Sequence, residues 1–191
     1  MSDKRDQLLE TAERLFYDEG FHATGIDRVI EKAGVARMTL YKHFPSKDAL
    51  IGAVMARREQ AYWQALNGAV AAAEGVGRSG LRAAIRAHGD WLRALGTNGC
   101  FFLKALGEYN AHAPSIAKAV SRHKQDLIAF FDHLLTRERV ADRAPAEQIV
   151  LILEGATALA PVIGLETAAR QGEVLADRLL GFDPGTDGRA P

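Results

Sequence analysis

The chain has 191 residues, of which 48% are hydrophobic and 25% are charged, and its 24 basic and 24 acidic side chains cancel. This composition is that of an ordinary soluble globular protein with one domain or two closely joined ones. The single cysteine, Cys100, excludes an internal disulfide framework, and the N-terminus has no apolar segment of the kind that directs secretion, so we expect a cytoplasmic protein.

The first predicted helix covers residues 6–18, has an apolar face and ends at Gly20. Thr24 stands where we expect the residue that caps the next helix, and its hydroxyl could also meet a DNA phosphate. In residues 26–33 apolar side chains recur at helical spacing, and Gly34 follows at the position where a left-handed residue ends a helix. These signals predict two helices before residue 35.

A second short helix is predicted after Gly34, with Leu40 and Phe44 on its inward face. Pro45 and Ser46 end it, and Ser46 is a good N-cap for the helix that follows. Two short helices joined by a tight, glycine-containing turn form a helix-turn-helix, whose second helix lies in the major groove of DNA.

The charge of this stretch supports the same prediction. Residues 28–47 contain five basic side chains and one acidic side chain on an otherwise neutral chain. Such a local excess favours DNA, because phosphate neutralisation supplies most of the non-specific affinity. Charge alone leaves a merely solvated basic face open as an alternative. Its coincidence with the turn and with the polar and aromatic run 39–43 favours DNA binding.

Four short motifs carry a resemblance to a known family. In chain order they are Phe21-x-x-Thr24, Ala33-Gly34-Val35-Ala36, Thr39-Leu40-Tyr41-x-His43-Phe44 and Ser46-Lys47-x-x-Leu50. Their order and spacing resemble the DNA-binding domain of the tetracycline-repressor (TetR) family over about the first third of the chain. The resemblance implies an all-α homodimer with a small-molecule pocket in its C-terminal part. It also implies that the dimer is released from DNA when the ligand binds. Ala36 and Met38 depart from the usual pattern, and we expect them to change the operator sequence and not the class of function.

The outward face of the second short helix supplies the predicted DNA contacts. Arg37 can read guanine through two hydrogen bonds, and Thr39 and Met38 can touch a thymine methyl group. The other polar and basic residues are predicted to bind phosphates and set the register. The predicted DNA-binding residues are Thr24, Arg28, Arg37, Met38, Thr39, Tyr41, Lys42, His43 and Lys47.

Helical spacing continues through the rest of the chain. The further predicted helices run from Ser46 to about residue 73, over 81–95, around 101–109, from Pro114, from Pro145 to Gly164, and from there to Gly181. The predicted fold class is therefore all-α, with about nine helices. We predict a three-helix helix-turn-helix DNA-binding domain at 1–47, a helical ligand-binding and dimerisation domain at 48–182 and a disordered tail at 183–191.

Interior histidines beside aromatic residues leave two interpretations open. They are either core histidines that hydrogen-bond to the backbone, or part of a cavity that aromatic side chains line for a small effector molecule. The candidate ligand-binding residues are Trp63, His88, Trp91, Phe102, Leu106, Tyr109, His123, Leu127 and Phe131. Two interpretations are also open for Cys100, which is either a reactive thiolate at a helix start or a plain half-buried cysteine. Glu154 is either an inward polar group or an interface residue.

The sequence has no His and Cys spacing typical of a metal site, no glycine-rich phosphate loop and no nucleophile placed with its base. We therefore predict no metal, no cofactor and no enzymatic activity. Two alternatives stay open. One is an enzyme that uses the interior histidines, and the other is a DNA-binding regulator that answers to a protein partner.

The helix after Pro145 is apolar nearly all round and requires cover on every side, so we predict that it and the last helix meet a second copy. The predicted dimerisation residues are Ile152, Ala156, Leu159, Leu175 and Leu179. A dimer would hold two recognition helices about 34 Å apart, as a palindromic operator in double-stranded DNA requires. The apolar run 149–165 contains Glu154 and Pro161 and is predicted to be too short and too interrupted to span a membrane.

Overall fold

The computed structural model describes residues 4–109, 113–140 and 145–182 of the protein. Within these ranges it has nine α-helices and no β-strand, which confirms the predicted all-α fold class. The helices are α1 (Lys4–Glu19), α2 (Ile26–Ala33), α3 (Arg37–His43), α4 (Lys47–Glu74), α5 (Gly80–Leu95), α6 (Phe101–Tyr109), α7 (Pro114–Arg137), α8 (Ala146–Ile163) and α9 (Leu165–Leu180). The tail predicted to be disordered, residues 183–191, lies outside the described residues.

Capping motifs set the helix ends around the turn. Gly34 has φ = +62°, and its N–H and that of Val35 donate to carbonyls in the last turns of α2, as the sequence predicts. Ser46 Oγ accepts a hydrogen bond of 3.1 Å from the N–H of Ala49 and so caps α4. Ala36 occupies the N-cap of α3 without a side-chain hydrogen bond. The turn is therefore fixed by the backbone of α2 more than by a cap on α3.

Contacts group the chain into two compact units. The first contains Met1–Gln60 and Phe101–Arg122, and the second contains Ala61–Cys100 and His123–Pro191. The first unit thus holds α6 and the start of α7 as well as the helix-turn-helix, which a boundary drawn at residue 47 does not anticipate. Because packing and not sequence order defines the units, α4 and α7 each contribute residues to both.

The core of the first unit is built on aromatic rings from several elements. The ring centroid of Phe21 lies 5.3 Å from that of Phe16 in α1 and 5.0 Å from that of Phe101 in α6. Leu40 of α3 and Leu50 of α4 are also fully buried. Burial of such a side chain contributes about 1.5–3 kcal/mol, so these contacts stabilise the elements that present α3.

The core of the second unit is mainly aliphatic. Leu66, Leu81, Phe131 and Leu153 come from α4, α5, α7 and α8 and are at most 1% exposed.

Ser79 caps α5, because its side chain accepts a hydrogen bond from the N–H of Arg82, the third residue of that helix. This cap was not predicted from the sequence.

A chain of ion pairs joins α5 and α9. Asp177 Oδ2 accepts hydrogen bonds from Arg82 at 3.0 Å and from Arg86 at 2.6 Å. Glu173 accepts from Arg86 at 2.6 Å and from Arg93 at 2.8 Å. Asp177 and Glu173 are 3% and 7% exposed, so each of these buried carboxylates is neutralised, as burial of a charge requires.

The helix α8 corrects one prediction. By length and composition, Ala146–Ile163 is the one helix among the described residues that could cross a membrane, so the expectation that this run is too short was wrong. Core helices of soluble proteins meet the same criterion, and one such helix is weak evidence for a membrane span.

Candidate functional site

Two buried side chains decide which side of α3 is accessible. Leu40 is fully buried and Phe44 is 3% exposed, as the sequence predicts. On the other side Met38 is 78% exposed and Tyr41 is 40% exposed. The other exposed or half-buried residues of α3 are Arg37, Thr39, Lys42 and His43. The helix therefore presents a polar and basic surface, which we call the α3 face.

Two arginines of the helix-turn-helix are paired with acids from the same unit. Arg28 donates hydrogen bonds of 2.9 and 3.3 Å to Glu19, which raises the pKa of its guanidinium. Arg37, the first residue of α3, pairs with Asp27 in the first turn of α2. Lys42 has no hydrogen bond or ion pair with the residues that the structure describes, so its ammonium is available to an anion.

Lys47 lies at the start of α4. Its Nζ is 3.4 Å from the carbonyl oxygen of His22. Partial burial lowers the pKa of Lys47, while the carboxylates of Glu108 and Asp48 oppose that shift. Lys47 is the first residue of α4, and a lysine at a helix N-terminus favours the binding of an anion such as a DNA phosphate.

The predicted role of Thr24 as a helix cap was wrong. Gly25 occupies the N-cap of α2, and Thr24 is fully buried. Its hydroxyl lies 3.2 Å from the carbonyl oxygen of Leu15 and 2.7 Å from that of Gly20, and can donate to either. The side chain therefore ties the segment before α2 to the end of α1. We remove Thr24 from the predicted phosphate contacts, because a buried hydroxyl cannot reach DNA.

A carboxylate on α6 holds the segment between α1 and α2. Glu108 accepts hydrogen bonds from the N–H groups of Phe21 at 3.0 Å and His22 at 2.6 Å. The His22 ring stacks on Tyr109, with the ring centroids 4.6 Å apart. Glu108 was not predicted from the sequence, because 86 residues separate it from His22 and no local pattern links the two.

The predicted ligand-binding residues are divided between the two units. Phe102, Leu106 and Tyr109 belong to the first unit, and the others belong to the second. In the second unit His123 is 2% exposed and Leu127, like Phe131, is fully buried, whereas the two tryptophans are half-buried. The role of these residues as ligand contacts stays a prediction.

Tyr62 is the centre of an aromatic cluster in the second unit. Its ring centroid lies 5.6 Å from that of Trp63, 5.4 Å from that of Trp91 and 5.7 Å from that of His123. Its hydroxyl forms a hydrogen bond of 2.9 Å with His88 Nδ1. Tyr62 was missed among the predicted site residues, although its position beside Trp63 on an apolar helix was a signal that could have found it.

His88 is a hydrogen-bonded core histidine. Its Nε2 lies 3.0 Å from Thr157 Oγ1 and 3.3 Å from the carbonyl oxygen of Leu153, so with Tyr62 both ring nitrogens have partners. Burial lowers the pKa of His88, and the ring is therefore neutral at pH 7. This geometry favours the first of the two interpretations that the sequence left open for this histidine.

Lys124 of α7 contacts two residues whose roles the sequence left open, Glu154 and Cys100. Lys124 Nζ donates to Glu154 Oε1 at 2.6 Å and lies 3.4 Å from Cys100 Sγ. Burial opposes both charges, yet Lys124 lowers the pKa of Glu154, and Cys100 together with Glu154 raises the pKa of Lys124. Glu154 is thus an inward polar group, and its Oε2 has no hydrogen-bond partner among the described residues. Cys100 is a free, half-buried cysteine.

The second unit also has a surface groove of about 410 Å³ along α7 and the start of α8. Its lining residues are Gln125, Ile128, Ala129, Asp132, Ala146 and Glu147. No predicted ligand-binding residue lines it. In the three ranges that the structure describes, no three His, Cys, Asp or Glu side chains are grouped as a metal site requires.

The helices α8 and α9 expose large apolar side chains, which we call the α8–α9 apolar face. Of the predicted dimerisation residues, Leu159 is 53% and Leu175 is 48% exposed, and Ile152, Ala156 and Leu179 are half-buried. The exposed side chains that were not predicted are Leu151, Val162 and Ile163. A contiguous apolar surface is typical of an interaction site, and the dimerisation role of these residues stays a prediction.

Solved structures of other proteins share this architecture. A TetR-family transcriptional regulator from Streptomyces coelicolor is 32% identical, with a TM-score of 0.80, and the match covers 93% of this chain and 94% of that one. The reduced form of NemR from Escherichia coli has a TM-score of 0.76 at 22% identity, over 93% of this chain and 96% of NemR, which shows the common fold.

Sequence relatives match different shares of the chain. NemR from Escherichia coli, named a transcriptional repressor, is 28% identical over 138 residues, which are 72% of this chain and 69% of NemR. FasR from Mycolicibacterium smegmatis, named a transcriptional activator, is 46% identical over 55 residues, which are 29% of this chain. That match spans a quarter (25%) of FasR. The model of the tetR family of bacterial regulatory proteins matches residues 8–54. With the near full-length likeness to the Streptomyces protein, these findings show that the chain belongs to the TetR family.

Proposed function

We propose that the protein is a DNA-binding transcriptional repressor. The observation that carries the proposal is the α3 face, an accessible polar and basic surface on the second helix of a helix-turn-helix. The names of the relatives also support it. NemR, which matches 138 residues, is named a repressor, and FasR, which matches 55, is named an activator. The longer match favours repression.

Roles on the DNA follow from exposure and side-chain chemistry. Arg37 reads guanine, while Met38 and Thr39 contact thymine methyl groups in the major groove. The remaining accessible residues bind phosphates and set the register. These phosphate contacts are Arg28, Tyr41, Lys42, His43 and Lys47.

Two copies of the chain associate through the α8–α9 apolar face. Covering Leu159, Val162 and Leu175 removes apolar surface from water, and each buried Å² contributes about 25 cal/mol before the costs of association. A two-fold dimer would present two α3 faces about 34 Å apart to a palindromic operator. Leu159→Glu should therefore give monomers in sedimentation velocity, and Gln148→Glu at an exposed polar position of α8 should leave the dimer intact.

A small molecule bound in the second unit would release the protein from DNA. The aromatic cluster around Tyr62 and the polar groups Lys124 and Glu154 are candidates for its contacts. Because α4 and α7 supply residues to both units, a change in either helix has a covalent route to the first unit. A ligand that favours a state with another spacing of the α3 faces shifts the population, with a coupling of about 1–3 kcal/mol.

A second candidate function is DNA-binding regulation without a small molecule, through a protein partner. It is favoured by His88, whose ring nitrogens are all satisfied within the chain. One assay distinguishes regulation by a small molecule from regulation by a protein partner. If metabolite mixtures raise the melting temperature and weaken DNA binding, a small effector acts, and if neither changes while the protein binds DNA, a protein partner is favoured. In either case we infer a cytoplasmic regulator with no catalytic role.

The direct test is selection of random duplex DNA by the purified full chain, followed by sequencing. The proposal predicts a palindrome whose half-site centres are about one helical turn, or about 34 Å, apart. Leu159→Glu should lose the palindrome and keep at most a single half-site. No enrichment of any sequence at low salt would contradict DNA recognition by this protein.

A further inference from the structure

We propose that Asp27 is a positioning residue that directs Arg37 toward a base and away from phosphates, and so sets the sequence specificity of the α3 face. The proposal rests on the proposed DNA-binding function and assigns to Asp27 a role beyond its favourable position in the first turn of α2. Its starting point is an acid in the helix-turn-helix that pairs with the predicted base-reading arginine.

The geometry of the pair is set by the turn. Asp27 lies in the first turn of α2 and Arg37 is the first residue of α3. The two helices are linked through Gly34, whose left-handed backbone and paired hydrogen bonds fix the end of α2. Asp27 Oδ1 accepts a hydrogen bond from Arg37 Nη2 across this turn. Asp27 lies on α2, and the turn at Gly34 fixes the position of α2 relative to α3. The carboxylate can therefore hold the Arg37 guanidinium in a defined orientation.

Because the pair of Asp27 and Arg37 is exposed, it can influence DNA binding while contributing little to the stability of the fold. The side chains of Arg37 and Asp27 are 59% and 74% exposed. An ion pair in water contributes little to folding, so the fold does not depend on Asp27. A carboxylate near a DNA-binding helix also opposes the approach of a polyanion. A cost in affinity with only a small gain in stability points to a role in how Arg37 binds.

The chemistry of the guanidinium supplies that role. An arginine has five N–H donors in a planar fork, and Asp27 occupies only one part of it. The remaining donors can still meet the O6 and N7 atoms of a guanine, which require a defined orientation. A phosphate attracts the guanidinium mainly through its charge and accepts hydrogen bonds from many directions, and Asp27 neutralises part of that charge. Pairing thus favours the contact that depends on geometry over the contact that depends on charge.

The first unit contains a matched control in the pair of Glu19 and Arg28. That pair is of the same type, with hydrogen bonds of 2.9 and 3.3 Å, and is also solvent-accessible. Arg28 lies in α2 and not on the α3 face, so Glu19→Ala frees an arginine without altering the proposed base reader. A general effect of removing one negative charge appears in both variants, and an effect on base choice appears only in Asp27→Ala.

The experiment measures binding of the full chain to the selected duplex, to its single base-pair substitutions and to an unrelated duplex, at several salt concentrations. In Asp27→Ala we expect discrimination at the base pair that Arg37 reads to fall by roughly fivefold or more. Affinity for the unrelated duplex should rise, and the salt slope should steepen by about 0.9 for each added phosphate contact. Asp27→Glu should restore part of the discrimination, and Glu19→Ala should keep all of it.

A second set of variants tests whether Asp27 acts through Arg37. Arg37→Ala alone should lose the base preference, and adding Asp27→Ala should cause no further loss at that base pair. If Asp27→Ala and Glu19→Ala behave alike, or if Asp27→Ala still changes base choice without Arg37, the positioning role is wrong while DNA binding stands. If the wild-type chain prefers no duplex over another, both the positioning role and the proposed function are wrong.

Discussion

Two groups of ion pairs, one in each compact unit, lie in different environments. In the first unit, the pair of Asp27 and Arg37 is mostly in water, and Lys42 has no partner among the described residues. In the second unit, Asp177 and Glu173 are almost fully buried beneath arginines of α5. The same chemical groups therefore serve two purposes. Exposed charges remain available for a ligand, while buried charges hold helices together and tolerate no loss of a partner.

The largest expected effect comes from breaking the buried network. Asp177→Ala removes the carboxylate that both Arg82 and Arg86 contact and leaves the buried Arg82 without it. We expect the free energy of unfolding to fall by about 3 kcal/mol, because breaking a buried ion pair costs far more than breaking a pair at the surface. Urea denaturation followed by circular dichroism measures this directly.

The matched variant for this comparison is Asp27→Ala in the first unit. It also removes one carboxylate from an arginine, yet it should lower the free energy of unfolding by less than about 1 kcal/mol, because its pair is solvated. Equal losses in the two variants would mean that the difference in environment does not govern the use of charge in this protein.

A smaller effect is expected from a buried hydroxyl in the first unit. Thr24→Val keeps the shape of the side chain and removes the donor to the carbonyls of Leu15 and Gly20, which should cost about 1–2 kcal/mol. DNA affinity per folded molecule should not change, because the hydroxyl is buried. Thr24→Ser should retain most of the stability. A Thr24→Val protein of full stability that bound DNA more weakly would instead indicate that Thr24 contacts a phosphate.

The turn itself can be tested with two glycines that differ in one respect. Neither Gly34 nor Gly52 has an atom within 4 Å of an added Cβ, but only Gly34 has a positive φ, of +62°. Gly34→Ala should therefore destabilise the protein by about 1 kcal/mol, and Gly52→Ala, within α4, should stabilise it by about 0.5–1 kcal/mol. Thermal unfolding of the two variants would show opposite shifts, and shifts of the same sign would contradict the assigned turn geometry.

The smallest expected effect concerns pH and the core of the second unit. Burial lowers the pKa of His88 below the ordinary histidine value of about 6.5, so as pH falls the unfolded chain binds a proton that the folded chain resists. The free energy of unfolding should therefore decrease as pH falls through about 6.5. His88→Gln should reduce this decrease, and His133→Gln, at an exposed position of α7, should not. An unchanged pH dependence in His88→Gln would contradict the assignment.

Local signals predicted most of the fold. Gly34, Ser46 and Gly181 each end or start a helix where the sequence indicates, because left-handed turns and hydroxyl caps depend on neighbouring backbone alone. The buried side of α3 also followed from helical spacing, with Leu40 inward. The accessible residues of α3 could therefore be predicted from the sequence alone.

Contacts between distant segments could not be predicted in this way. Thr24 has the chemistry of a cap, and only the packing of α1 shows that its hydroxyl points inward. Glu108 binds a segment 86 residues away, and Lys124 meets Glu154 on a helix 30 residues later. Spacing along one helix carries no information on such pairs. For the same physical reason, no local signal groups Phe101–Arg122 with the helix-turn-helix.

We propose that the exposed charges of the α3 face bind DNA and do not support the fold. The salt dependence of operator binding by Lys42→Ala tests this most directly, with Lys118→Ala, an exposed lysine of α7 in the first unit, as the control. We expect the salt slope to fall by about 1 for each Lys42 removed, with the stability and the slope of Lys118→Ala unchanged. An identical slope in wild type and Lys42→Ala would show that this surface does not contact the DNA phosphates.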